Sequence, residues 1–178
     1  MENYFIGLAP SQDTCIAIAE ATSKLPAPWV PTNVNDFHLT AHYLGHIDEE
    51  SLAQLEAITS CIADDTAPLT IEHGRTIVMR PAKPYMLWAK YAQSSWFDTL
   101  AGDCARRLAK LTEHDERHRA SRAPIPHLTL ARLPHGTYAE SLVPSIELPQ
   151  ELTRIRFDTL ALWRSEAGKY TIVKSWSL

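Results

Sequence analysis

The sequence predicts an α+β fold with largely antiparallel sheets, arranged as two lobes. Three observations carry that prediction. Strand-like runs outnumber helix-like runs and several follow one another directly, so sequence neighbours can pair without the crossover helices of a parallel sheet. The helix-like runs are few and amphipathic, each with one apolar stripe to bury. The tripeptide His-Leu-Thr occurs twice, at 38–40 and 127–129, each time after a helix-like run and about half a chain length apart. That spacing fits an internally duplicated chain, although no further self-similarity survives. The 178 residues suffice for one domain spanning 1–178, built as two small lobes that share a core.

Residues 3–9, with their aromatic and branched side chains, read as a short strand. Ser11 is placed to cap a helix whose apolar positions are Cys15, Ile16, Ile18, Ala19 and Leu25. Pro26, Pro28 and Pro31 end it and make an extended approach to the first His-Leu-Thr. Residues 37–47 form a long strand candidate, with His38, Thr40, His42 and Leu44 on one face by strict alternation. Asp48 then caps a helix to about Ala63, with Leu52, Leu55, Ile58 and Ile62 as its stripe. Residues 69–79 and 85–91 are strands, the former bent or bulged at Gly74. Ser94 or Ser95 caps a third helix to about Leu111, with Trp96, Leu100, Cys104 and Leu108 inward. Residues 112–126 are a polar, charged loop, and 127–133 the second motif strand. Residues 134–149 are weakly patterned. Strands at 152–164 and 169–176 close the chain, joined by a turn at Glu166-Ala167-Gly168.

Composition excludes several classes of function. No apolar run approaches a membrane span, and the N-terminus lacks a signal peptide's basic and apolar regions, so a cytoplasmic protein is expected. Cys15, Cys61 and Cys104 are odd in number, widely spaced and in helix-like runs, as buried free thiols would be. A net charge of −4 argues against a protein that coats nucleic acid, but not against one that grips a single phosphate. Positive charge is concentrated in Arg106, Arg107, Lys110, Arg117, Arg119, Arg122 and Arg132, either as a solvated face or as an RNA-steering patch.

On a strand, the His and Thr of each tripeptide stand side by side on one face. Two such pairs across a cleft offer two imidazoles and two hydroxyls to one small anion. Opening a cyclic phosphodiester needs a water deprotonated, a leaving oxygen protonated and charge stabilised on the non-bridging oxygens. Imidazole titrates near working pH and can take either proton-transfer role. Threonine hydroxyls can donate to phosphate oxygens without adding charge. The scheme requires no metal and no cofactor.

The stretch Phe37-His38-Leu39-Thr40-Ala41-His42-Tyr43-Leu44-Gly45 resembles the first signature of the 2H phosphoesterase superfamily, and Pro126-His127-Leu128-Thr129-Leu130-Ala131-Arg132 resembles its second. Within it, the chain is most similar to the bacterial RNA 2′,3′-cyclic phosphodiesterases, also called 2′-5′ RNA ligases. The similarity runs from the Tyr4-Phe5-Ile6-Gly7-Leu8 strand to the Ser165, Gly168-Lys169-Tyr170 and Trp176 ending. The resemblance implies two antiparallel sheets with helices on their outer faces, pseudo-two-fold symmetric around a central cleft. It also implies metal-independent hydrolysis of an RNA-terminal or nucleotide 2′,3′-cyclic phosphate to a 2′-phosphate, and so a part in RNA processing. By position, His38 would protonate the leaving 3′ oxygen and His127 would activate water, though a near-symmetric site could run either way. Thr40, Thr129 and Arg132 would bind the phosphate, and Tyr43 would stack on the terminal base. Superfamily members also act on 2′-5′ linkages and on cyclic phosphates of ADP-ribose. A binding module without catalysis is a further alternative, disfavoured because a binder would do better with Lys or Arg than with two imidazoles.

The expected partners are an RNA 3′ end or a nucleoside 2′,3′-cyclic phosphate, with no membrane, no metal and a monomeric state. Two features conflict with simple alternation. Tyr43 and Arg132 each stand five residues past their His and so fall on the wrong face unless a bulge, twist or strand end swings them back. His42 shares the face of His38 and Thr40 and is either a third cleft group or a surface or satisfied histidine. His46, His73, His114, His118 and His135 lack metal-ligand spacing and read as surface or loop residues. The tryptophans, Trp29, Trp88, Trp96, Trp163 and Trp176, read mostly as core.

Overall fold

Strand β1 (Asn3–Pro10) is buried almost throughout, because it lies between two other strands and has apolar material on both faces. The computed structural model describes residues 2–79, 85–112, 124–134, 136–137, 153–166 and 168–178, with the backbone alone from 73 to 79. Helix α1 (Gln12–Thr22) follows, capped by Ser11, whose Oγ accepts the Thr14 N–H. The short β2 (Val30–Pro31) and a 3₁₀ turn at Val34–Asp36 lead into β3 (Leu39–Gly45). Helix α2 (Glu49–Asp64) buries Leu55 and Ile62, with Leu52 and Ile58 packed at the rim of the core. Strands β4 (Leu69–Met79) and β5 (Met86–Tyr91) precede α3 (Ser95–Leu108), which buries Phe97, Leu100, Cys104 and Leu108. Strand β6 (His127–Arg132) carries the second motif, and β7 (Arg154–Glu166) and β8 (Lys169–Ser177) close the chain.

The strands run in the order β2-β6-β5-β4-β7-β1-β3, with β8 added on β7. Two antiparallel sheets meet at β4, which pairs with β7 over Leu69–Glu72 and with β5 from His73 onward. The change of partner coincides with a register shift between His73 and Arg75, the irregularity expected at Gly74. The main core includes Ile6, Leu8, Leu39, Phe157, Leu160 and Leu162, all fully buried. Among the described residues, no helix is long and apolar enough to cross a membrane.

The topology is two-fold. The series β1-α1-β3-β4 and β5-α3-β6-β7 match in order, and within each the first strand pairs with the third element. The last strand of each series pairs with the first strand of the other, and β4 pairs with β7 across the centre. The two halves therefore exchange strands rather than merely touch. Strands β3 and β6 belong to opposite halves yet approach each other, which brings the two motifs close together.

Several expectations change. The motif strands are shorter than predicted, and the approach to the first motif is a two-residue strand paired with β6 rather than free extended chain. Cys15 and Cys104 are buried, but Cys61 is exposed because it lies off the Leu55–Ile62 stripe of α2. Arg106 and Arg107 face Asp103 and Asp65 at 2.5 and 2.6 Å, so this part of the basic concentration is locally neutralised. Arg117, Arg119, Arg122, His114, His118, His135 and most of 134–149 lie outside the described residues, as does the side chain of His73.

Candidate active site

Both parity conflicts are resolved by one device used twice. Along β1 and β3, Thr40 faces Gly7 and His42 faces Ile6, which leaves Ala41 as an extra residue. Along β5 and β6, Thr129 faces Trp88 and Ala131 faces Leu87, which leaves Leu130 extra. Each is a β-bulge one residue after the threonine, and a bulge reverses the facing of everything beyond it. Tyr43 therefore returns to the face of Thr40, opposite Phe5, and Arg132 to the face of Thr129, opposite Met86. The same bulge removes His42 from the cleft, since opposite Ile6 it stands on the sheet face turned away from Thr40. A second irregularity at Leu44 is accommodated by Gly45, whose φ of 73° favours glycine.

The two imidazoles are held alike. His38 Nδ1 lies 2.7 Å from the Asp36 carbonyl, and His127 Nδ1 lies 2.7 Å from the Ile125 carbonyl. A carbonyl only accepts, so each Nδ1 carries the hydrogen and each Nε2 is left to take or give a proton. In both cases the carbonyl belongs to the residue two before the histidine, another repeat of the internal symmetry. Among the described residues, neither the Thr40 nor the Thr129 hydroxyl is committed to a hydrogen bond, so both can donate to an anion.

The walls differ between the halves. His127 lies flat on Trp88, with ring centroids 3.4 Å apart and planes at 19°. Trp88 can do this because it is the residue paired with Thr129 on the next strand. At the equivalent place beside Thr40 stands Gly7, and a Cβ there would approach the Trp163 Nε1 to 3.4 Å. The missing side chain lets an indole from one strand farther away serve His38 instead. Trp163 reaches to 5.2 Å of the His38 ring, and Phe5 and Tyr170 to 4.6 and 4.7 Å. Phe5, Ala161 and Trp163 form a second apolar cluster, separate from the main core, with Ala9 and Tyr170 packed against it. Among the described residues, the buried indole N–H groups of Trp88 and Trp163 have no hydrogen-bond partner. Each such orphan costs about 1–3 kcal/mol, a burden more often found at sites than in plain core.

Burial among these rings pulls both imidazoles from 6.5 down to about 4. The carbonyls of Asp36 and Ile125 oppose the shift, while Arg132 adds to it at both histidines and a charged His127 adds to it at His38. The two imidazoles and the Arg132 guanidinium are thus within electrostatic reach of one another. Arg132 donates from Nη2 to the Tyr170 hydroxyl at 2.9 Å and approaches the Met86 Sδ at 3.5 Å from Nη1. Burial raises the Asp36 carboxyl, opposed by the Tyr170 backbone N–H and by Arg132.

His38, Thr40, Tyr43, His127, Thr129 and Arg132 are accordingly on the cleft faces of β3 and β6 or at their ends. Tyr43 remains 39% exposed, open enough for a flat group to lie on it. Sequence reasoning missed Trp88 and Trp163, taken as core, and did not single out Phe5, Gly7, Asp36 or Tyr170 as site residues. A signal existed for Asp36, two residues before a motif histidine. The others come from β1, β5, β7 and β8 and are joined to the motifs only by strand pairing.

Residues 10–169 match the pattern of the 2′-5′ RNA ligase superfamily. The chain belongs to the 2′-5′ RNA ligase superfamily. Among its relatives, the RNA 2′,3′-cyclic phosphodiesterase of Bacillus subtilis (strain 168) is 27% identical over 135 residues, 73% of this chain and 70% of that protein. A crystal structure from Thermus thermophilus matches with a TM-score of 0.78 and 25% identity, over 99% of this chain and 97% of that one. The LigT protein of E. coli, crystallised with 3′-AMP, shares the fold at a TM-score of 0.69 and 19% identity, over 99% and 98% of the two chains. Within the superfamily, this chain is a phosphoesterase-type enzyme of the 2H class, with the two-sheet, outer-helix architecture of its structural neighbours.

Proposed function

We propose that the protein hydrolyses a 2′,3′-cyclic phosphate at an RNA 3′ end, or on a nucleotide, to a 2′-phosphate without a metal ion. The observation that carries this reading is the pair of histidines, each with Nδ1 held by a carbonyl, so that Nε2 is left to take or give a proton, and both within electrostatic reach of Arg132. In the proposed reaction His127 Nε2 takes a proton from water as its oxygen attacks phosphorus. The bond from phosphorus to the 3′ oxygen breaks, and that oxygen takes a proton from His38 Nε2. The Thr40 and Thr129 hydroxyls and Arg132 stabilise charge on the non-bridging oxygens, and Tyr43 receives the terminal base. The name of the Bacillus relative and the phosphate and 3′-AMP complexes of E. coli LigT support a ligand of this kind. The reading includes monomeric, cytoplasmic work, as the sequence leads one to expect.

The test is turnover of a nucleoside 2′,3′-cyclic phosphate in the presence of a chelator, with the product identified by phosphorus NMR. His38→Ala and His127→Ala should each lower turnover by about 10²–10⁴-fold while the far-UV circular dichroism stays that of the wild type. Activity lost in chelator and restored by zinc would sink the mechanism. Rates on RNA ends, 2′-5′ oligonucleotides and cyclic phosphates of ADP-ribose, compared side by side, separate the related substrates.

A further inference from the structure

Tyr170 lies on β8, opposite Ser165 of β7, and touches both halves of the cleft. Its hydroxyl accepts the Arg132 Nη2–H at 2.9 Å, and the guanidinium carbon stands 5.8 Å from its ring centroid. Its ring is 4.7 Å from the His38 imidazole and edge-on to Phe5 at 5.9 Å. Its backbone N–H also acts on the Asp36 carboxyl, opposing the rise that burial causes, and the Asp36 carbonyl is what holds His38 Nδ1. Arg132 comes from the second motif and His38 belongs to the first, so one side chain from the end of the chain spans the two.

We propose that Tyr170 is a positioning residue, holding the Arg132 guanidinium through its hydroxyl and the His38 imidazole through its ring, so that the C-terminal strand sets the spacing of the two half-sites. An arginine side chain is rotamer-rich, and ordering it at the moment an anion arrives weakens binding. A tether made beforehand removes that cost. It occupies one of the guanidinium's five N–H donors, a second is turned to the Met86 Sδ, and three remain for phosphate. The ring contributes separately by keeping solvent from one side of His38.

The inference rests on the functional reading only for its kinetic arm, so two arms are measured. Tyr170→Phe keeps the ring and removes the hydroxyl. Affinity for inorganic phosphate, measured by calorimetry, should weaken about fivefold, the scale of releasing one side chain. KM for a nucleoside 2′,3′-cyclic phosphate should rise by a similar factor, with kcat changed less and the melting temperature held. Tyr170→Ala should in addition move the His38 titration, followed by NMR, up toward the ordinary imidazole range, whereas Tyr170→Phe should leave it where it was. Unchanged phosphate affinity and unchanged KM in Tyr170→Phe would overturn the proposal, as would a wild type that binds no phosphate. A wild type that binds phosphate but turns over no cyclic phosphate defeats the functional reading instead, and the phosphate arm still decides the role of Tyr170.

Discussion

The two histidines are chemically equivalent in their anchoring and unequal in their surroundings, and both facts bear on pH. With folded values near 4 against 6.5 in the unfolded chain, each imidazole stays neutral in the native protein at neutral pH. As pH falls below about 6.5, the unfolded chain takes up protons that the folded one refuses, so the stability these residues contribute above that pH is lost progressively toward pH 4. Thermal melts between pH 7 and pH 4 should show the decline, and a double His38→Ala, His127→Ala variant should show a shallower one. Turnover follows a different rule. The proposed reaction needs one imidazole protonated and the other neutral, and kcat/KM reports the free enzyme. It should therefore peak on the acidic side of neutrality and fall about tenfold per pH unit well above the peak. A flat profile from pH 5 to pH 8 would contradict low imidazole values in the free protein.

At the scale of strands, the bulges after Thr40 and Thr129 turn the residue five past each histidine, Tyr43 and Arg132, back to the face of the threonine, and Gly7 makes room for the rings around His38. A methyl at residue 7 would lie 3.1 Å from the Leu39 carbonyl, a backbone atom of the paired strand that cannot easily move aside. It would also meet Phe5 and the Trp163 indole at 3.4 Å, both of which line His38. Gly7→Ala should destabilise by roughly 1–2 kcal/mol, overcrowding outweighing the smaller entropic gain of alanine over glycine. It should also lower turnover, since the rings that position His38 must shift. A melt at fixed pH and a steady-state assay check the two effects together.

Much at this scale is legible in the residues alone. The apolar stripes of α2 and α3, the caps at Ser11 and Ser94, and the irregularity at Gly74 follow from spacing and side-chain chemistry. Alternation puts His42 on the wrong face because it runs through a bulge that leaves no mark in the residues themselves. Ala41 and Leu130 are ordinary strand residues, and only the partner strands count them as extra.

Over the whole molecule, the exchange of strands between halves ties them into one core. Strand β7 pairs with β1, β4 and β8 and carries Phe157, Leu160 and Leu162 into the interior. Leu160→Ala should cost about 2–5 kcal/mol, through lost transfer energy and the cavity left behind. Because each half contributes strands to the other, its urea unfolding should remain a single transition, with tryptophan fluorescence and circular dichroism coincident. Separate transitions for the two signals would mean that the halves unfold independently.

The residue order alone established the class of fold and the order of elements, and it singled out His38, Thr40, Tyr43, His127, Thr129 and Arg132 as the candidate site. Those properties depend on local periodicity and on which functional groups stand near each other along the chain. The bulges, the indole under each imidazole and the reach of Tyr170 to both motifs had to await the pairing of strands. Trp163 lies beside His38 through the pairing of β7 with β1 and the gap left by Gly7, and Tyr170 through the pairing of β8 with β7. Contacts of that kind join residues far apart in the chain, and their geometry is set by the register of strands packed over a common core.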